Sequence, residues 1–335
     1  MTTRSTLVSD FPKTDPLLEL PELATDLRQV EFRLDTLVQS RVPEIPRIGR
    51  YLVRSGGKRL RPMLTLLAAR AAHGTSAPID LAAVGELIHL ASLLHDDVVD
   101  DGELRRGQRT ANRVYGNGVV VLVGDFCLAS ALRTCTIAGP PHAVTSLAEA
   151  VTEMAEGEVL QLQNIGRLDL PVDDYFTVIE KKSAALLAWC CTAGALSAGA
   201  AQDQVDALNR FGRALGIAFQ IADDVLDYAG TPAETGKALA TDLRGLKVTL
   251  PLLIAVQRAP NLGEQLAVAF TKEVDDETLG NLAYKVVECG AVDEARERAR
   301  QWIATAIATL DDHRLEPQAV RSMIQLAQII VDRRN

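Results

Sequence analysis

The stretch Leu81–Asp100, LAAVGELIHLASLLHDDVVD, decides how the rest of the chain is read. Leu81, Val84, Leu87, Ile88, Ala91 and Leu94 recur at three and four positions, the period of one buried face of an α-helix. The run closes on Asp96-Asp97-Val98-Val99-Asp100, a D-D-x-x-D element. On a helix, Asp96 and Asp100 share one face, one turn apart. The construction returns downstream, where Phe211, Leu215, Ala218, Ile221 and Val225 keep the helical period through Asp223-Asp224-Val225-Leu226-Asp227. A single acidic cluster reads equally well as a solvated helix face. Two copies at the ends of apolar helices are harder to dismiss. Like charges at i and i+4 repel, and carboxylates at a helix C-terminus oppose the macrodipole. A hard cation offsets both costs, and Mg2+ takes one or two carboxylates while leaving room for phosphate oxygens.

Outward from these elements the pattern stays helical. Breaks fall at Gly56-Gly57, His73–Pro78, Gly139-Pro140-Pro141, Arg167–Pro171, Gly230–Gly236, Ala259-Pro260 and Pro317. Only Val119–Val123 looks like a strand, and its Ala-rich surroundings favour a buried helix. The expectation is an all-α fold. It is read as one domain over 1–335, with 1–20 a loose N-terminal arm carrying Pro12 and Pro16.

Composition sets limits. The chain has 335 residues, with 44 Asp or Glu against 35 Lys or Arg, a net charge of -9 that argues against a nucleic-acid-coating surface. Ser183–Gln202 carries no charge and is long enough to span a bilayer. Its Ala, Gly, Ser and Thr content reads better as a central enclosed helix, so no transmembrane segment is expected. The start of the chain has no apolar signal-peptide core. Five cysteines without a C-x-x-C pattern read as free thiols, and the expected location is cytoplasmic.

An acidic protein that handles anions must cluster its cations. Lys58, Arg59 and Arg61 follow Gly56-Gly57 at a loop-to-helix junction, and Arg105-Arg106-Gly107 follow the first acidic element. Lys181, Lys182, Lys237 and Lys247 add to the supply. Helix N-termini and arginine forks suit phosphate.

With these blocks in order, the sequence resembles the trans-isoprenyl diphosphate synthases, or polyprenyl synthetases. The resemblance runs from about Gly56 to Pro251. Beyond the two acidic elements it rests on Gly56–Pro62, Val123-Gly124-Asp125-Phe126, Glu156-Gly157-Glu158 with Gln161, Gly216–Gln220, and Gly236-Lys237 with Lys247. It implies a single large helical bundle around a deep central cavity, and a Mg2+-dependent prenyltransferase, most like a long-chain polyprenyl diphosphate synthase, usually homodimeric, that condenses isopentenyl diphosphate with an allylic diphosphate. Carried over by position, Asp96, Asp100, Asp223 and Asp227 would hold Mg2+, about three ions per site. Asp97 and Asp224 would support them. Lys58, Arg61, His89 and Arg106 would meet isopentenyl diphosphate; Arg105, Lys182, Ser183, Gln220 and Lys237 would meet the allylic diphosphate. Lys247 would add to substrate binding. Ser183 stands where the family commonly has Thr, and Gly245-Leu246-Lys247 where it has Glu-Gly-Lys.

Product length is read from the helix before Asp96. In the family, aromatics one turn up resemble a floor that stops growth. Here those positions are Ala91 and Ser92, with Ile88 a turn further. Small side chains leave room for a long product of roughly seven to ten isoprene units. The alternatives are a short-chain farnesyl or geranylgeranyl diphosphate synthase, a terpene cyclase, or a non-catalytic partner subunit. A cyclase would replace the second D-D-x-x-D, and a partner subunit typically loses part of a cluster; all six Asp are present here.

Overall fold

The computed structural model describes residues 21–54, 57–105, 108–229, 241–272, 274–311 and 314–331. In chain order the helices are α1 (Pro21–Leu37), α2 (Glu44–Arg54), α3 (Leu60–Ala71) and α4 (Ile79–Val99). After a hairpin of β1 (Leu104–Arg105) and β2 (Gln108–Arg109) come α5 (Ala111–Tyr115), α6 (Asn117–Ala138), α7 (Pro141–Gln163) and α8 (Val172–Ile179). A π-turn, Glu180–Ala184, leads into α9 (Ala185–Ser197) and α10 (Gln202–Ala229). The rest are α11 (Thr241–Arg244), α12 (Leu250–Arg258), α13 (Pro260–Phe270), α14 (Asp276–Glu288), α15 (Ala291–Ala308) and α16 (Pro317–Val331).

The all-α expectation holds, and the breaks within the described residues fall where Gly and Pro placed them. α7, α13 and α16 each begin at a proline, whose missing N–H costs nothing in a first turn. Val119–Val123 is helical, inside α6. The small hairpin was not foreseen: Leu104 pairs with Arg109 and Arg105 with Gln108, antiparallel, without any apolar alternation.

The uncharged stretch forms the centre. Every residue from Ala185 to Ala195 is buried, with α3, α4, α7 and α10 packed around it. Its small residues allow this proximity; a Cβ on Gly194 would stand 2.2 Å from the Thr65 carbonyl oxygen on α3. Cys127, Cys135, Cys190 and Cys191 are free and buried, and burial pushes the Cys127 and Cys190 thiols up to about 12. Among the described residues, α6 is the helix long and apolar enough to cross a membrane. One of its faces is buried against α4, and the other leaves Leu122 and Ile137 67% and 78% exposed.

Candidate active site

α4 and α10 bring the two acidic elements to one end of the bundle. Asp100 caps α4, and Asp101, at φ 49°, turns the chain out of it. A short Asp side chain tolerates that left-handed conformation. The hairpin then folds back. Arg105 Nε and Nη2 each stand 2.8 Å from Asp97 Oδ1, and the Ala111 amide donates to Asp97 Oδ2 at 3.4 Å. Asp97 is thus buried and turned toward the protein. It fastens Arg105 instead of facing a metal.

The second element repeats this with different chemistry. Asp224 is buried; the Tyr175 hydroxyl donates to Oδ2 at 2.7 Å and Gln220 Nε2 donates to Oδ1 at 2.8 Å. Ser183 Oγ donates to Gln220 Oε1 at 2.6 Å, linking α10 to the π-turn. A π-turn adds a residue to the helical turn and re-aims its side chains, here Lys182 and Ser183. The turn packs so closely on α7 that a Cβ on Gly157 would lie 2.4 Å from the Lys182 amide. Glu158, next in α7, forms an ion pair with Lys182.

A cavity of about 570 Å³ connects these parts. Lys58, Arg61, His89, Arg105, Lys182, Ser183, Gln220, Asp223, Asp224, Asp227 and Lys247 all line it. Asp96, Asp97 and Asp100 do not line it; Asp97 and Asp100 reach it through Arg105 and Lys247, which do. Asp100 accepts from Lys247 Nζ at 2.8 Å, and Asp227 Oδ2 accepts from the Asp242 amide at 2.8 Å. Ile88 and Ala91 are buried and Ser92 half-buried, and none of the three lines this cavity; α4 meets it through Glu86, His89, Leu90 and Leu93. Arg106 and Lys237 lie outside the described residues.

Electrostatics follow from crowding acids into a partly dry space. Burial raises the Asp96 carboxyl to about 6, with Glu158 and Asp100 adding to the rise and Lys182 opposing it. Burial raises Asp224 to about 7, against its two hydrogen bonds and with Asp223 and Asp227 pushing the same way. Lys247 is raised, because the Asp100 charge and hydrogen bond outweigh its burial. Among the described residues no three His, Cys, Asp or Glu side chains converge on one point. Asp223 and Asp227 nonetheless bring carboxylate oxygens to the cavity wall, which fits an ion that takes few protein ligands and completes its shell with water and diphosphate.

Sequence reasoning overlooked Tyr175, Glu86, Asn164, Asp242 and Thr249, all on the cavity wall. Tyr175 sits in an ordinary amphipathic helix with nothing local to mark it. Asp242 stands beside the Lys247 block, and an acid so close to a basic motif was the available signal.

Comparison with known proteins returns one answer. The profile of the Polyprenyl synthetase family matches residues 42–287. Octaprenyl diphosphate synthase of Escherichia coli (strain K12) is 38% identical over 312 residues, 92% of this chain and 96% of that protein. A crystal structure of polyprenyl synthase from Caulobacter crescentus CB15, complexed with calcium and isoprenyl diphosphate, superposes with a TM-score of 0.91 at 36% identity, covering 97% of this chain and 100% of the other. A decaprenyl diphosphate synthase from Rhodobacter capsulatus gives a TM-score of 0.88 at 38% identity over 94% and 98%.

Proposed function

This chain belongs to the polyprenyl synthetase family, and from that premise we propose how its residues divide the work. The activity is that of a trans-prenyltransferase making long-chain polyprenyl diphosphates. The family joins isopentenyl diphosphate to allylic diphosphates and is generally Mg2+-dependent. In our reading Asp96, Asp100, Asp223 and Asp227 hold about three Mg2+ ions per site through carboxylate oxygens. Lys58, Arg61 and His89, with Arg106, receive isopentenyl diphosphate. Arg105, Lys182, Ser183 and Gln220, with Lys237, receive the allylic diphosphate. Lys247 belongs to the same binding surface. The calcium and isoprenyl diphosphate named with the Caulobacter protein support that pairing of cation and ligand.

The observation that carries the reading is one cavity lined by Lys58, Arg61, Arg105 and Lys182 together with Asp223 and Asp227. Held by these aspartates, Mg2+ would offset the charge of the diphosphate. As the allylic C–O bond breaks, Arg105 and Lys182 stabilise the negative charge growing on the leaving group. Leu90, Leu93, Val178 and Phe219 keep water from the allylic cation. The isopentenyl double bond attacks that cation, a C–C bond forms, and the proton lost from the adduct passes to the released diphosphate.

Three further elements complete the proposal. Ala91, Ser92 and Ile88 set product length from behind the wall that His89, Leu90 and Leu93 form on α4, so Ala91→Phe and Ser92→Phe are expected to push that wall inward and shorten the product. The exposed face of α6, with Leu122 and Ile137, receives a second copy of the chain, and light scattering of the eluted protein should give twice the monomer mass. The chain acts as one domain in the cytoplasm. Purified protein should elongate allylic primers with isopentenyl diphosphate and Mg2+, with products sized by mass spectrometry. Failure to elongate any primer refutes the division of roles.

A further inference from the structure

Arg59 stands between Lys58 and Arg61 and borders the same cavity, yet its guanidinium is held entirely by protein groups. Its backbone is left-handed, φ 50°, immediately before α3 begins. A non-glycine residue is held there only when its surroundings insist. The surroundings are visible in its guanidinium. Nε pairs with Glu31 Oε1 on α1, and Nη2 donates to Glu31 Oε2 at 3.1 Å. Nη2 also reaches the Val53 carbonyl in the last turn of α2 at 2.7 Å, and Nη1 donates to Glu86 Oε1 on α4 at 2.9 Å. Every guanidinium nitrogen is engaged, with the side chain 10% exposed. Burial would lower its pKa, but the bonds and charges of Glu31 and Glu86 raise it.

Glu86 gives this arrangement a consequence. It is buried in the cavity wall, and besides Arg59 it acts electrostatically on Arg61. Arg61 itself has a buried Nε with no hydrogen-bond partner among the described residues. Without Arg59, the Glu86 carboxylate would act on Arg61 with nothing of Arg59's charge to offset it. It would draw that guanidinium toward α4 and set an uncompensated negative charge beside a diphosphate.

We propose that Arg59 is a positioning residue for the isopentenyl diphosphate half of the site: it neutralises Glu86 and ties α1, α2 and α4 to the start of α3, so that Arg61 is not drawn to Glu86 and keeps its place on the cavity wall. This rests on the assignment of Lys58 and Arg61 to isopentenyl diphosphate. Arg59 is not itself a diphosphate ligand, because binding one would break the contacts that hold its own backbone.

The test is steady-state kinetics with each substrate varied in turn. In Arg59→Gln, KM for isopentenyl diphosphate should rise about tenfold, the scale of one charge-assisted hydrogen bond, with the allylic KM within about twofold. The double variant Arg59→Gln/Glu86→Gln should return KM for isopentenyl diphosphate to within about threefold of wild type, since the unpaired charge has gone. A purely structural role would move both constants and would not be rescued by removing a second charge. If Arg59→Gln does not fold, Arg59→Lys, which keeps the charge without the fork, should show a smaller rise confined to the same constant and relieved by Glu86→Gln. An unchanged KM for isopentenyl diphosphate, or equal changes in both constants, overturns the proposal. Absence of elongation by the wild-type chain would instead overturn the assignment beneath it.

Discussion

Asp97 and Asp224 occupy the same position in two copies of one sequence element, and both turn their carboxylates into the protein. Asp97 meets a guanidinium, Arg105, and a backbone amide. Asp224 meets a phenol and a primary amide, both neutral, and its carboxyl is raised to about 7 by burial, with Asp223 and Asp227 adding to the rise. A charge pair and a neutral cradle therefore solve the same burial problem. The first solution stands without any ligand, since the cation is built in. The second leaves negative charge in a dry place and waits for a cation from outside.

The largest difference between the two should appear on removing charge without removing volume. Asp97→Asn leaves Arg105 facing an amide. Breaking a fully buried pair costs 3–5 kcal/mol, and about 2–3 kcal/mol is expected here because Arg105 keeps 32% of its side-chain exposure. Asp224→Asn should change stability of the metal-free protein at pH 8 by less than about 0.5 kcal/mol, or raise it. The new amide can accept from Gln220 and donate to the Tyr175 oxygen, which accepts as readily as it donates. Urea unfolding of both variants measures the contrast. Equal losses would show that the two cradles are energetically alike.

A second contrast lies in pH. Asp96, raised from 3.8 to about 6, and Asp224, raised from 3.8 to about 7, hold protons in the folded chain at pH values where the unfolded chain has released them. Stability of the metal-free protein should therefore fall as pH rises from about 4 to 7 and stay lowered above that. Mg2+ relieves the repulsion only where the carboxylates are ionised. The melting-temperature gain on adding Mg2+ should thus exceed that at pH 5 by roughly a few degrees at pH 8. The double variant Asp96→Asn/Asp224→Asn should lose most of that difference. A gain independent of pH would separate metal binding from these two groups.

The periodicity around Leu81–Leu94 and Phe211–Val225 was sufficient for α4 and α10, because a face that must be buried repeats with the helix itself. Cations beside glycines marked Lys58, Arg61 and Arg105, the family resemblance added Lys182, and the structure brings all four to one cavity. What sequence hid was set by distance along the chain. Tyr175 and Asp224 meet across 49 positions, and Arg59 meets Glu31 and Glu86 across 28 and 27. The hairpin carrying Arg105 shows no alternation because its strands are two residues long and owe their shape to the salt bridge with Asp97. The π-turn packs its Lys182 backbone against α7 at Gly157, a tertiary contact with no local signature. Ile88, Ala91 and Ser92 follow the helical face that the wheel gives them, yet the cavity wall on α4 runs through His89, Leu90 and Leu93.

The finest contrast concerns the neutral cradle itself, and Tyr175→Phe isolates it. The substitution removes one hydroxyl from a buried position and leaves a carboxyl short of a donor. A lost hydrogen bond to such a group costs about 1–2 kcal/mol when the carboxyl is ionised and less when it holds its proton. The stability loss should therefore be larger at pH 8 than at pH 5. The carboxyl should also titrate higher, since one of the bonds favouring its charged form is gone. Gln220 is bound to the same carboxylate and to Ser183, so slack at Asp224 passes to the residues placed on the allylic diphosphate. KM for the allylic primer should rise by about twofold to fivefold, within what one neutral hydrogen bond supplies, with that for isopentenyl diphosphate unchanged. A rise in the isopentenyl diphosphate constant instead would mean that the two halves of the site share one polar network.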